Sequence, residues 1–287
     1  MVAQLLGLKL RLMGNAFRRS PWQIFGLTLG LAYGVVTVVL VIGALVAARL
    51  VPLVADVHSV LVAIGSIVVA GFLLLPLLFG IDDTLDPRKF ALFGIPDRTL
   101  ALALALSGLI GIPAVVLFVC ALATVITWSR DPGAAVLAVL SAIIVVPTCV
   151  LASRISTAIA SLFVSSRRSK EAGGVVAILV LVLIAPVLLL LLTVDWGRDG
   201  LGTLSAFAGW LQWTPLGAVW SMPGAAADGA GGAAFVQFLI AVATVAVLWL
   251  VWRFLVTLVV VAPEREARVR EHHGLGWFGR LPGGPTA

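Results

Sequence analysis

The chain has 287 residues, of which 61% are hydrophobic and only 11% charged, and its mean hydropathy is +1.17. A soluble domain averages roughly 25% charged residues, so this composition excludes an ordinary globular enzyme and predicts an integral membrane protein. The net charge of +6 does not point to nucleic acid, because the basic residues fall in short clusters at the ends of apolar runs, where they fit topology and anionic headgroups.

Residues 1–20 predict an amphipathic interfacial helix. Gln4, Gly7, Arg11, Asn15 and Arg18 share one face at helical spacing, and Leu5, Leu6, Leu10, Leu12, Met13, Ala16 and Phe17 form the other. Lys9 is the exception on the apolar face, where its stem can snorkel. Such a helix before a first span lies in the headgroup plane. Ser20-Pro21 ends it.

Six spans are predicted in the transmembrane domain 21–263, at about 22–48, 59–80, 100–127, 134–163, 173–194 and 235–262. Each is long enough for a bilayer core that needs ~20 apolar residues. The first exceeds a signal-peptide core of roughly 7–15 residues, so it reads as retained. Arg49, Pro52, Asp56 and His58 fall in the connection before the second. In the third, Ser107 to Gly111 has small-xxx-small spacing that permits close helix contact, and Pro113 predicts a kink. Trp128-Ser-Arg-Asp-Pro-Gly133 reads as a tight turn. The fourth span exceeds the bilayer. The simpler placement puts Arg154 at the inner interface; the alternative is a tilted helix with Arg154 in the membrane, facing other helices. Cys120 and Cys149 lie within spans and read as core residues.

The segment from Gly80 to Thr99 is different. Asp86 suits an N-cap, Pro87 suits the first helical position, and Gly94 and Pro96 stop the turn. Asp97 suits the cap of the next helix. On residue types alone a solvated connector is the default reading, and a short docking helix the functional one. Residues 195–234 are also unusual: long, apolar, and rich in Trp (Trp196, Trp210, Trp213, Trp220), with Pro215 and Pro223 as interruptions. They predict short helices that dip back into the outer interface, where irregular backbone must be covered by protein or line a wet cavity. Residues 264–287 form a basic cytoplasmic tail or linker.

Six spans place both termini on one side. That side carries fourteen Lys and Arg residues, against Arg49, Arg130 and Arg198 on the other. The asymmetry predicts cytoplasmic termini, a cytoplasmic Gly80–Thr99 loop and an outer Trp-rich segment, in the plasma membrane.

Chemistry is sparse. No acid falls within a predicted span, and His58, His272 and His273 sit at span ends or in the tail, which disfavours proton coupling; sodium coupling through carbonyls and hydroxyls stays open. The chain contains neither a P-loop nor a His-Glu-x-x-His zinc motif. Asp82, Asp83 and Asp86 lack EF-hand spacing. The reading is therefore no enzyme, no metal site, and no cofactor in this chain.

The order of these features resembles the permease subunit of type-2 ABC exporters (the ABC-2 permease superfamily). The features are an interfacial N-terminal helix, six spans, a capped helix between spans 2 and 3, and an interrupted outer segment before span 6. The closer resemblance is to large actinobacterial permeases of that superfamily, carried by Gly80-Ile-Asp-Asp-Thr-Leu-Asp-Pro-Arg-Lys-Phe-Ala-Leu and by Trp213-Thr-Pro-Leu-Gly-Ala-Val-Trp220. The resemblance implies docking on a separate ABC ATPase subunit, which binds the ATP and magnesium. The docking residues would be Asp86, Pro87, Arg88, Lys89, Phe90 and Phe93, with Lys9 and Arg11 on the N-terminal helix. It implies a hydrophobic or amphipathic cargo (drug, antibiotic or lipid) and a second permease half or a homodimer. The permeases it resembles are often twice this length, so a half-size permease and an N-terminal half are both open. The alternatives are a non-transport membrane scaffold and a sodium-coupled carrier.

Overall fold

The structure, a computed structural model, describes Gly7 and residues 21–51, 54–79, 96–164 and 200–261. The candidate docking residues Asp86 to Phe93, Lys9 and Arg11, the predicted span 173–194 and the basic tail lie outside the described residues.

Among the described residues every regular element is a helix. They are α1 (Pro21–Leu50), α2 (Val54–Phe79), α3 (Asp97–Leu109), α4 (Ile112–Trp128), α5 (Pro132–Val164), α6 (Gly200–Leu211), α7 (Ala218–Ala227) and α8 (Gly231–Val261). Helices α1, α2, α5 and α8 are each long and apolar enough to cross a membrane, and the bent pair α3–α4 would make a fifth span. The ends differ from expectation by a few residues, and α2 already includes Asp56 and His58 in its first turns.

Helix α5 is the centre. It packs against α2, α3, α4, α7 and α8, while among the described residues α1 leans chiefly on α4. One core cluster joins Val145 and Cys149 of α5 to Val69 of α2, Leu117 of α4 and Val219 and Met222 of α7. A second joins Leu151 and Ile155 to Leu100 and Leu104 of α3 and to Trp252 and Val256 of α8. A third, around Val57, Trp128, Ala134 and Ala138, closes the opposite end. The core is small-residue packing: Ala134, Ala138 and Ala142 are fully buried along α5. Between helices in lipid, close van der Waals contact replaces the hydrophobic drive. Many apolar residues of α1 and α8 face outward instead, with Tyr33, Leu40, Leu250 and Phe254 all well exposed. A surface this apolar is unsuited to water and compatible with a bilayer.

Side chains tie the helices at carbonyls. Thr127 Oγ1 donates to Leu45 O (3.1 Å), joining α4 to α1. Trp252 Nε1 donates to Ala101 O (3.0 Å), joining α8 to α3. Ser156 Oγ donates to Leu73 O, joining α5 to α2. The predicted tight turn leads directly into α5, which begins at Pro132. The Asp131 carboxylate accepts from Gly133 N (3.2 Å) and Ala134 N (3.1 Å), with Pro132 at the first helical position.

Four details differ from the sequence expectation. The third span does not kink at Pro113: α3 and α4 are separate helices bent by 67°, and the break lies at Ile110-Gly111. Pro113 sits in the first turn of α4, where its missing N–H leaves no gap in the ladder. The small-residue motif makes its close contact at Gly108, where an added Cβ would lie 2.6 Å from Val150 Cγ1, and not at Gly111. Asp97 is the first residue of α3, and Pro96 occupies the cap position. Arg154 is not an interfacial side chain on the outside of the bundle. It is buried at 8% exposure, and its guanidinium donates to Ser107 Oγ (3.2 Å) beside the α3–α4 break. Residue spacing along the span does not fix the face of Arg154, and the glycine at position 108 makes the room it fills.

Candidate functional site

The Trp-rich segment supplies the site. Helix α6 ends in a compact turn: Thr214 Oγ1 donates to Leu211 O (2.7 Å), and the Gly217 and Ala218 amides return to Thr214 O. Helix α7 follows, and eight of its residues, Ala218 to Ala225, are buried between α2, α5 and α8. It ends in a Schellman turn. Ala230 N donates to Ala225 O (2.8 Å) and Gly229 N to Ala226 O (2.9 Å), and Gly229 takes the positive φ of 75° that the motif requires.

Pro223 lies inside α7 and has no N–H for the Val219 carbonyl one turn back. Ser141 Oγ of α5 donates to that carbonyl instead. The serine thus satisfies a buried acceptor that the proline leaves open. Ser141→Ala is expected to cost about 1–3 kcal/mol, the desolvation cost of an orphaned buried group. In the Pro223→Ala background, where residue 223 can donate to Val219 O, the same change should cost clearly less. Thermal unfolding midpoints of the four proteins in detergent check the pair.

Two glycines seat α7 on α2. A Cβ at Gly65 would lie 2.3 Å from the Trp220 ring, and one at Gly224 would lie 2.5 Å from the His58 ring. The indole lies flat on the α2 backbone and the imidazole lies on the α7 backbone. His58 also stands edge-on to Trp128, with centroids 6.3 Å apart. Its Nδ1 donates to the Asp228 carboxylate (3.1 Å), closing the start of α2 onto the end of α7. A carboxylate only accepts, so the shared hydrogen belongs to Nδ1.

Beside this latch is a cavity of about 320 Å³, lined by His58, Ser59 and Val62 of α2, Gln212 and Trp213 after α6, and Asp228. Gln212 Nε2 donates to Gly209 O (3.1 Å), and its Oε1 accepts from Gln237 Nε2 of α8 (3.4 Å). Gln237 is fully buried, and its Oε1 has no partner. The other buried polar side-chain atoms without a partner among the described residues are His58 Nε2, Trp220 Nε1 and Ser221 Oγ. All four belong to α7 or to residues facing it, so unmet hydrogen-bonding capacity concentrates around this one short helix. A second, smaller cavity of about 120 Å³ at the same end is lined by Arg49, Val57, Trp128, Arg130 and Asp131.

Trp213 and Trp220 stand out in the sequence as part of the Trp-rich segment and His58 as a span-end residue, but no motif marks Gln212, Gln237 or Asp228. The readable signal is Gln237, an amide near the start of a helix whose other polar side chains are Thr244, Arg253 and Thr257. Among the described residues no group of three or more His, Cys, Asp or Glu side chains forms a metal-ligand set. Compared with family models, curated proteins and solved structures, the chain matches none.

Proposed function

We propose that the chain is the transmembrane permease subunit of an ATP-driven type-2 ABC exporter, working with a separate ATPase subunit in the plasma membrane. The observation that carries the reading is the pair α6 and α7, two short helices before the last long one, with α7 buried among α2, α5 and α8. This is the arrangement that the resemblance of Trp213 to Trp220 implies for an outer re-entrant cap. The segment 80–95 joins the end of α2 to the start of α3, and both lie at the opposite end of the bundle from the His58–Asp228 latch. These described flanks are far from the cap, as a device that carries motion from an ATPase to an outer gate requires.

On this reading the ATPase supplies all the chemistry. Closure of two ATPase subunits moves the docking helices, the motion passes through α2 and α3 to α5, and the seat of α7 opens. The outward apolar faces of α1 and α8 serve lipid contact or a second permease half, and the cargo is hydrophobic or amphipathic. Arg88 and Lys89 make the ionic contacts to the ATPase, with Asp86, Pro87, Phe90, Phe93, Lys9 and Arg11 around them.

The test is co-purification from native membranes in mild detergent. The tagged wild-type chain should bring down a P-loop ATPase in near-equal amount. Arg88→Glu with Lys89→Glu should abolish that association while leaving expression and the unfolding midpoint unchanged. A clean preparation without any ATPase would sink the reading. The sodium-coupled carrier keeps one specific observation in its favour, the α3–α4 break, since interrupted helices offer carbonyls to cations. Cargo movement in ATP-free vesicles that follows an imposed sodium gradient would select it.

A further inference from the structure

We infer that the cavity beside the His58–Asp228 latch binds a substituted ammonium group carried on a small apolar body. The lining separates into two parts. One is polar and rich in acceptors: the Asp228 carboxylate and the Gln212 carboxamide oxygen. The other is apolar, from Val62 and the small residues of α6 and α7. Among the described lining residues there is no Lys or Arg, and the one fixed charge is that of Asp228, which is negative. His58 uses one carboxylate oxygen, Oδ2, through Nδ1. An ionised carboxylate accepts at both oxygens, so Oδ1 is left for a ligand donor. Trp213 lines the same cavity and is 45% exposed, which leaves indole surface open to a cation. Behind the lining, the fully buried Gln237 amide orients Gln212 through Nε2 and keeps an unpartnered Oε1. A buried amide that holds a lining amide in place is second-layer support of a binding site, and it has no value to a solvated surface dent. The volume of about 320 Å³ is at the small end of ligand cavities. An anionic group would meet the Asp228 carboxylate, and a neutral apolar body would gain nothing from its charge.

The inference deepens the exporter reading by naming a cargo or lipid class at the α7 cap. Binding needs no ATPase, so the two fail separately. The experiment measures binding of three probes with one body to the purified full chain in lipid discs. The probes are 4-phenylbutylamine, 4-phenylbutanol and 4-phenylbutyrate, read by titration calorimetry against empty discs. The amine is expected to bind once per chain, about ten-fold or more tighter than the alcohol, the size of one charge-assisted hydrogen bond. Asp228→Asn should lower amine affinity about ten-fold and leave the alcohol unchanged. Trp213→Leu keeps the carboxylate and should lower amine affinity several-fold. Both side chains are exposed, so both variants should fold, and their unfolding midpoints check this. Discs of phosphatidylglycerol alone and discs containing phosphatidylethanolamine distinguish the source. Weaker amine binding with the ethanolamine lipid, lost in Asp228→Asn, assigns the site to a lipid headgroup; equal binding assigns it to a soluble amine. Equal affinity for amine and alcohol, tighter binding of the butyrate, or wild-type affinity in Asp228→Asn would overturn the inference.

Discussion

Gly217→Ala is expected to lower stability by more than about 3 kcal/mol, beyond the usual range for overpacking. The added Cβ would sit 2.3 Å from Leu211 O and 2.6 Å from Leu211 C, with Ser66 Oγ at 3.1 Å. Two of those three atoms are backbone, in the turn that joins α6 to α7, so no rotamer change relieves the contact. Torsion is not the reason, because Gly217 has φ −100° and ψ −25°, which alanine accepts. Space is the reason: the turn folds back until the chain touches itself. The control is Gly202→Ala in α6, where nothing lies within 4 Å of the added carbon. There, alanine's better helix propensity should leave stability equal or raise it by roughly 0.5–1 kcal/mol. Thermal unfolding of both variants in detergent checks the pair. Equal midpoints for Gly217→Ala and wild type would show that the α6–α7 turn is not as close as described.

The long helices were legible because a bilayer span needs only length and hydropathy. α1, α2, α5 and α8 fall where the apolar runs fall, and the predicted turn separates α4 from α5 around Ser129 to Asp131. The α3–α4 break was half legible. Pro113 signals an interruption, but a kink at a proline and a new helix with proline in its first turn have the same sequence, and only the Ile110-Gly111 geometry separates them. The face of Arg154 was not legible, since a charge near a span end fits an interface and a helix contact equally well. The site was the least legible part. His58 and Asp228 are 170 residues apart, and neither has a motif around it. Their pairing depends on α7 entering the bundle between α2 and α5, a tertiary fact that composition cannot show. The glycines carry that information in retrospect. Gly65 and Gly224 are each required by a ring from the opposite helix.

That packing makes the last prediction the most informative about function. Gly65→Ala puts a methyl 2.3 Å from the Trp220 ring, which is itself buried and held between α2, α5 and α8. The ring cannot stay, so α7 must shift or leave its seat, at a cost of about 3 kcal/mol or more. Trp220→Leu alone removes ring contacts and should cost less than the ~3–5 kcal/mol of truncating a large core aromatic to alanine. The double variant should cost less than the sum, with a coupling of about 1–3 kcal/mol, because the smaller side chain leaves room for the methyl. Unlike Gly217, the obstacle here is a side chain, so compensation is available. The same four proteins separate a seat that holds the bundle together from one that closes a path. If α7 is a cap, Gly65→Ala should raise proteolysis within residues 212–231 far more than elsewhere, and Trp220→Leu in the same chain should restore protection. Uniform loss of protection across the chain, with no rescue, would make α7 a structural wedge and remove it from any gating role.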